Sequence, residues 1–235
     1  RFSEGRPSIR RWLSEGRRYI ATPKVSRHRL FVWQPSSILP DNLVIAILRE
    51  DDTAFGIVSG KPHVLWSIAK GAWIGVGNDP TYTPTSSFET YPFPEGLTPD
   101  IPAAQYASDP RATAIADAAR RLDELRGNWL NPADLVMRVP EVVPTAEQRA
   151  AGARPIYPDR ILPVDDKAAA ILKKRTLTNL YNERPAWLDH AHKELDRAVA
   201  SAYGWTDWGK DGLTDDEILE RLFKLNQQRA AKQGA

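Results

Sequence analysis

The sequence is most informative at first through what it lacks. None of its 235 residues is cysteine, which excludes disulfide bonds and thiolate metal sites and favours a reducing, cytoplasmic location. It contains no run of about 18 apolar residues, so no membrane-spanning helix and no membrane partner are predicted. The opening residues are rich in Arg and lack the apolar centre of a secretory signal. Because the chain begins with Arg1 rather than Met, we expect a piece of a longer protein.

Motifs for cofactor binding and catalysis are also lacking. Asn131–Asp134 (NPAD) is close to the NPPY loop with which amino methyltransferases hold a flipped base, but Ala133 and Asp134 replace the second Pro and the aromatic ring. Gly75–Gly77 begins like a dinucleotide loop, but Pro80 stands where the third Gly is required. A P-loop motif is absent as well. We therefore expect this chain to hold no cofactor by itself.

Histidines and carboxylates form no recognisable catalytic set. His190 and His192 lie two positions apart in a predicted helix, on different faces, which is the wrong spacing for a shared metal. Acidic pairs occur at turns or helix starts, where they favour the helix dipole. The sequence predicts no enzyme activity for this chain alone.

Positive charge is concentrated near the start of the chain. Residues 1–35 hold nine Lys or Arg against two acids, whereas residues 36–97 hold three against seven. A local basic segment in a chain of net charge +2 is typical of one face that meets a polyanion such as nucleic acid. The alternative is a solvated basic end of a domain.

The periodicity predicts an α+β protein, a mixed module with a small sheet and one main helix followed by an α-helical C-terminal domain. Strands are predicted at Tyr19–Ala21, Leu30–Trp33, Leu43–Leu48 (buried on both faces), Trp73–Val76 and Phe88–Phe93, with a loop at 79–87. A helix broken near its start spans Phe55–Lys70. It has Pro62 in its first turn and Gly71 as its stop. The aromatic residues Trp33, Trp66, Trp73, Phe88 and Phe93 are predicted to be core, and base stacking is the alternative for them.

Proline divides the rest of the chain. We expect a stub of an excised upstream domain at 1–16, a recognition domain at 17–97, a Pro-rich linker at 98–163 and a helical C-terminal domain at 164–235. The linker contains one helix, about 111–130, and its part 131–163 is predicted to be an extended arm. Further helices are predicted near Asp165–Lys174, after Pro185 up to Gly204, and after a capping box that begins at Thr214.

The polar residues that suit DNA fall in two stretches. Cations at 24–29 are predicted to neutralise phosphates, and the polar loop after Gly77 is predicted to reach base edges. The candidate DNA-binding residues are Lys24, Arg27, His28, Arg29, Lys61, Lys70, Asn78, Thr81, Tyr82 and Thr83. An ordinary surface turn is the alternative for the loop.

Three segments together carry a family resemblance. RYIATPKVSRHRLFVW (18–33), LPDNLVIAILREDDTAFGIVSGKPHVLW (39–66) and YTPTSSFETYPFP (82–94) resemble the target-recognition domain of MmeI-like adenine-N6 DNA methyltransferases. Residues 177–205 and 215–231 are similar to the helical domain that ends the same proteins, which belong to type II restriction–modification systems.

The resemblance implies a division of labour. A separate methyltransferase domain of the parent chain would bind S-adenosylmethionine and methylate a flipped adenine. The present chain would recognise a sequence in double-stranded DNA. The alternative is a docking module of a larger enzyme, in which Trp187, Tyr203, Trp205 and Trp208 of the helical part contact another subunit or the missing methyltransferase domain.

Overall fold

The computed structural model describes residues 7–74, 79–142, 145, 147, 150, 158–209 and 212–233. Its first half contains α1 (Pro7–Ser14), β1 (Tyr19–Pro23), β2 (Val32–Gln34), β3 (Val44–Ile47), α2 (Asp52–Ser59), α3 (Lys61–Lys70), β4 (Trp73–Ile74) and β5 (Asp79–Pro80). Its second half contains α4 (Pro110–Leu130), β6 (Val136–Val139), β7 (Arg160–Pro163), α5 (Asp166–Leu172), α6 (Leu177–Glu183), α7 (Ala186–Ala202) and α8 (Asp215–Gln233). The predicted α+β module followed by helices is confirmed.

The first three strands form an antiparallel sheet in the order β2-β1-β3. Ile20 of β1 stands between Trp33 of β2 and Ile47 of β3. The central strand is buried except at its end, but β3 is mostly half-buried and the preceding Leu43 is exposed. The prediction of a strand buried on both faces at 43–48 is therefore wrong, because β3 is an edge strand with only one face covered.

Helices α2 and α3 divide the predicted helix at Gly60. The Asp51 side chain caps α2 by accepting a 2.8 Å hydrogen bond from the Ala54 backbone N–H. Pro62 lies in the first turn of α3, and Gly71 follows its last residue. The break, the Pro and the stop are thus confirmed.

The segment after α3 differs from the prediction. Strands β4 and β5 pair as a hairpin, and one turn of π-helix spans Pro84–Phe88. No strand forms at 88–93, because the Phe88–Pro94 backbone makes local turns such as Tyr91 N–H to Phe88 C=O at 3.1 Å. The aromatic side chains of this segment instead pack inward, with Tyr91 and Phe93 both buried. The aromatic residues at 88–93 therefore belong to the core, but their backbone does not form a strand.

The long helix α4 packs against α2 on one side and α7 on the other. Its buried stripe consists of Ala112, Ile115, Ala119, Leu122 and Arg126. The helix ends at Leu130, in agreement with the predicted bounds of about 111–130. A single hydrophobic core therefore includes residues from Ile20 to Leu222.

The remaining elements follow the predicted capping signals. Asp165 caps α5, and Thr214 and Glu217 bond reciprocally at the start of α8, with the Glu217 carboxylate accepting from the Thr214 N–H at 2.8 Å. Pro185 precedes α7, and Gly204 follows it with φ of 76°. Strands β6 and β7 form an exposed antiparallel pair within the predicted arm. The residues between them are described only in part.

Polar contacts join the C-terminal helices to the first half of the chain. The Asp196 carboxylate on α7 accepts a 2.7 Å hydrogen bond from the Lys61 backbone N–H at the start of α3. Burial raises the pKa of Asp196 to about 7, although this hydrogen bond and the nearby Lys61 and Arg184 favour its charged form. The Tyr203 hydroxyl donates to the Pro92 carbonyl at 3.0 Å. These bonds fix α7 against α3 and the 88–94 segment.

Two glycines in α2 and α4 give a matched test of the core. A Cβ on Gly56 would lie 2.5 Å from the Ile115 side chain, whereas a Cβ on Gly127 would meet nothing within 4 Å. We expect Gly56→Ala to lower the free energy of unfolding by about 1–3 kcal/mol. Gly127→Ala should raise it by roughly 0.5–1 kcal/mol through helix propensity. Urea unfolding of both variants measures this, and equal midpoints would contradict the close approach of α2 and α4.

Asp196→Asn gives a second test of the core through pH. The folded pKa of Asp196 is above its unfolded value of 3.8, so the folded parent binds the extra proton and loses stability as pH rises from about 4 to about 7. His63 and His192, whose pKa values are lowered by burial, act in the opposite direction. The stability of Asp196→Asn relative to the parent should therefore increase across this range and then level off. Urea unfolding at several pH values measures the difference, and a pH-independent difference would contradict it.

Candidate nucleic-acid interface

A short basic loop, residues 24–28, follows β1 and is held by its backbone. The Lys24 N–H donates to the Leu43 C=O at 2.7 Å, and the Lys24 C=O accepts from the Tyr82 N–H at 2.7 Å. Val25 forms an isolated antiparallel bridge with Thr81. The backbone of the loop is thus bonded to Leu43 on one side and to the 81–82 segment on the other. The side chains of Lys24 and Arg27 remain exposed.

Arg29 is buried and lies beneath that loop. Its guanidinium donates to the Thr22 hydroxyl at 3.0 Å, to the Pro23 carbonyl and to the Pro80 carbonyl at 2.9 Å. It also lies over the Tyr82 ring, 5.2 Å from the centroid. Burial lowers its pKa to about 10, so it remains charged at neutral pH. Arg29 therefore holds β1 against the 80–82 segment and offers no surface to a phosphate.

Tyr82 is likewise internal. It is fully buried, and its hydroxyl lies 3.2 Å from Nε2 of His63. The His63 Nδ1 lies 2.8 Å from the Val58 carbonyl and must donate to it, which leaves Nε2 to accept from Tyr82. Burial raises the pKa of Tyr82 and lowers that of His63 to about 4. The pair is a neutral hydrogen-bonded link in the core and not a base-contacting group.

The other candidates of the polar loop separate into three cases. Thr81 is buried, and its hydroxyl bonds with the Ala72 backbone N–H at 3.1 Å and with the Ala72 carbonyl at 2.9 Å. Thr83 is exposed and immediately precedes the π-helical turn. Asn78 lies outside the described residues. Of the three, Thr83 alone has a side chain described as open to solvent.

Lys61, Lys70 and His28 each contact the helical part of the chain. Lys61 Nζ lies 2.8 Å from an Asp215 carboxylate oxygen. Lys70 is exposed at the end of α3, with its Nζ 4.8 Å from the Phe223 ring centroid. His28 Nε2 lies 2.8 Å from Asn182 Oδ1. These three residues connect the first half of the chain to α6 and α8.

A cleft of about 300 Å³ opens where these parts meet. Arg27, His28 and Lys61 line it from the first half, and it is completed by Tyr181, Arg184, His192 and Asp196 from the C-terminal half, among others. The buried Ser59 hydroxyl also lines it and has no hydrogen-bond partner among the residues that the structure describes. The C-terminal residues of this cleft were not predicted from the sequence, because no spacing rule relates residue 27 to residues 181–196.

Tyr181 connects His192 of the cleft with the buried Arg126. Its hydroxyl lies 2.7 Å from His192 Nε2 and accepts a 3.4 Å hydrogen bond from the buried Arg126. Burial and the nearby Arg126 lower the pKa of His192, which fits a neutral ring that accepts from Tyr181. No group of three His, Asp or Glu in the described part of the chain is arranged to hold a metal ion.

The basic residues of the first segment have different roles. Arg17 pairs with Glu50 at 2.9 Å, and Arg18 pairs with Asp52 at 2.8 Å while its guanidinium lies over the Trp33 ring. In the described ranges, Lys24 and Arg27 have no acidic side chain within ion-pair distance. Within the described residues, the side chains of Lys24 and Arg27 in the basic loop therefore keep their positive charge without an acidic neighbour.

Trp73 contradicts the prediction that the aromatic residues of this module are core. Trp66 is fully buried and Phe93 nearly so, but Trp73 is 52% exposed on β4. The difference arises because β4 pairs only with β5 in a hairpin outside the main sheet.

Among the described helices, none is long and apolar enough to cross a membrane.

Comparison with known proteins gives two matches. A family model described as "MmeI, C-terminal domain" matches residues 158–232. A solved structure of the type IIL restriction–modification enzyme MmeI in complex with DNA shares the fold, with a TM-score of 0.55 and 18% identity. The similarity covers 92% of this chain but only 22% of that enzyme. No curated protein matches the chain. The family model thus matches the C-terminal third of the chain, and nearly the whole chain shares its fold with part of the solved structure.

Proposed function

We propose that the chain recognises a sequence in double-stranded DNA for an S-adenosylmethionine-dependent adenine-N6 methyltransferase of a restriction–modification system. The exposed pair Lys24 and Arg27 supports this most, since their neighbours Arg17, Arg18 and Arg29 are engaged within the protein. Cations that have no acidic partner on a loop held by its backbone suit phosphate binding. The solved MmeI structure, which contains DNA, supports the same partner.

Two kinds of contact are assigned to this surface. Lys24 and Arg27 bind phosphates and set the position of the protein on the duplex. Thr83, which is exposed close to the basic loop, reads a base edge, because a Thr hydroxyl both donates and accepts. Asn78, outside the described residues, is a second base-reading candidate. Another domain of the parent protein binds S-adenosylmethionine and methylates the adenine, and the protein acts in the cytoplasm.

A docking role has its own supporting observation. The β6–β7 pair and α5 expose Met137, Ile161, Leu162 and Ile171, an apolar set that suits a protein contact. The aromatic residues of the helical part support docking less, since Trp208 is buried and Tyr203 stacks on Trp205 at 4.7 Å. Docking of the parent's methyltransferase domain here is compatible with DNA binding at the basic loop.

The first test concerns phosphate contacts. Arg27→Gln and Lys24→Gln each remove one exposed charge, so each should weaken binding to all duplex sequences. Each should also reduce the slope of log K against log salt by about 1. Fluorescence anisotropy with a labelled duplex of about 25 base pairs, between about 50 and 200 mM salt, measures both effects.

Lys167→Gln is the matched control for this test, because Lys167 is an exposed lysine on α5. It should leave the slope unchanged. If the two loop variants bind as the unmutated chain does, the phosphate assignment is wrong. If the unmutated chain shows no salt-dependent binding, the DNA-recognition role fails and docking remains.

The second test concerns base reading. Thr83→Ala, introduced into the parent methyltransferase, should change the set of methylated sites while leaving thermal stability within about 0.5 kcal/mol, since the side chain is exposed. Sequencing of N6-methyladenine in substrate DNA identifies the sites. Thr178→Ala, an exposed threonine on α6, should not alter them. An unchanged site in Thr83→Ala would show that Thr83 does not read bases.

A further inference from the structure

The β4–β5 hairpin carries an exposed apolar pair that the proposed contacts do not use. Trp73 and Ile74 are 52% and 55% exposed. Two neighbouring apolar residues are exposed as well. Val25 forms an isolated bridge with Thr81, and the Leu43 carbonyl accepts from the Lys24 N–H. Successive residues of a strand point to opposite faces, so each face of the hairpin exposes one apolar side chain, and exposed apolar side chains can mark a contact site.

The base of this hairpin is held by several independent contacts. The Thr81 N–H donates to the Ala72 carbonyl at 2.8 Å, and Arg29 donates to the Pro80 carbonyl at 2.9 Å. A Cβ on Gly71 would lie 2.4 Å from the Thr81 carbonyl oxygen, so the two backbones approach closely there. The apolar pair is therefore fixed in place before any partner binds, which reduces the entropy lost on association.

Charge around the pair favours one kind of partner. Lys24 and Arg27 extend from the loop that bridges to Thr81, directly beside the hairpin. Asp79, paired with Ile74, is the single acid of the described hairpin residues and is half-buried. Apolar side chains flanked by unpaired cations are complementary to a duplex groove, whose floor and sugars are partly apolar and whose edges are phosphates.

We propose that Trp73 and Ile74 pack into a groove of duplex DNA, against sugars and base edges, while Lys24 and Arg27 hold the adjoining phosphates. This inference rests on the proposed DNA-recognition function and adds an apolar contact to it. Phosphate contacts release counterions and depend on salt, whereas apolar contacts do not. The two contributions can therefore be separated by one titration.

Trp73→Ala should weaken binding of the 235-residue chain to a mixed-sequence duplex about tenfold at every salt concentration, without changing the salt slope. Trp73→Phe, which keeps an aromatic face, should recover most of the affinity. Ile74→Ala should weaken binding similarly but less. Ile171→Ala, an exposed isoleucine on α5, is the matched control and should have no effect. Thermal unfolding should show all four variants folded.

The outcomes distinguish this inference from the function on which it rests. If Trp73→Ala binds as the parent does while Arg27→Gln still reduces the slope, the groove contact is wrong and DNA recognition stands. If Trp73→Ala leaves DNA affinity intact but changes the sedimentation coefficient, the hairpin is an interface between copies of the chain, which also overturns the inference. If the parent binds no duplex, both fail.

Discussion

The buried guanidinium of Arg29 is the interaction on which the recognition surface depends. Its partners are three neutral oxygens and the face of Tyr82, and they come from β1, from the end of β5 and from the segment just after β5. A buried charge is tolerated only when its donors are satisfied. Because its partners lie on both sides of the basic loop, Arg29 fixes the spacing between that loop and the β4–β5 hairpin. Through Tyr82 the same constraint reaches His63 and the end of α2.

The helical C-terminal part packs against the elements that carry the basic loop and the β4–β5 hairpin. α7 packs along α4, and Asp196 holds the first backbone N–H of α3, whose last residue leads into the hairpin. His28 contacts Asn182 on α6, so the basic loop itself touches the segment that matches the family model at residues 158–232. Changes in these helices are therefore transmitted to the basic loop by direct packing and hydrogen bonds.

Local signals in the sequence predicted local structure well. Pro62, Gly71 and Thr214 mark helix boundaries because capping and φ preferences act over a few residues. Residues 88–93 were mistaken for a strand, since buried aromatic residues fit a strand and a core-lining turn equally. The candidate site was harder to predict. A cation such as Arg29 looks the same in sequence whether it meets a phosphate or a backbone carbonyl, and partners 51 residues apart decide which.

Burial therefore refines the DNA-binding hypothesis more than charge does. Of the proposed contacts at 24–29, burial removes Arg29, an amide partner occupies His28, and Lys24 and Arg27 remain exposed. Buried residues of the 79–82 segment, Thr81 and Tyr82, serve to orient the exposed ones beside them. A rigid buried layer below a few exposed side chains is a sound arrangement for sequence reading, because a base contact discriminates only when its donor cannot relax toward the wrong base. On this argument, changes of specificity should be tolerated at exposed positions such as Thr83 and resisted at Arg29 and Thr81, whose loss would move every contact at once.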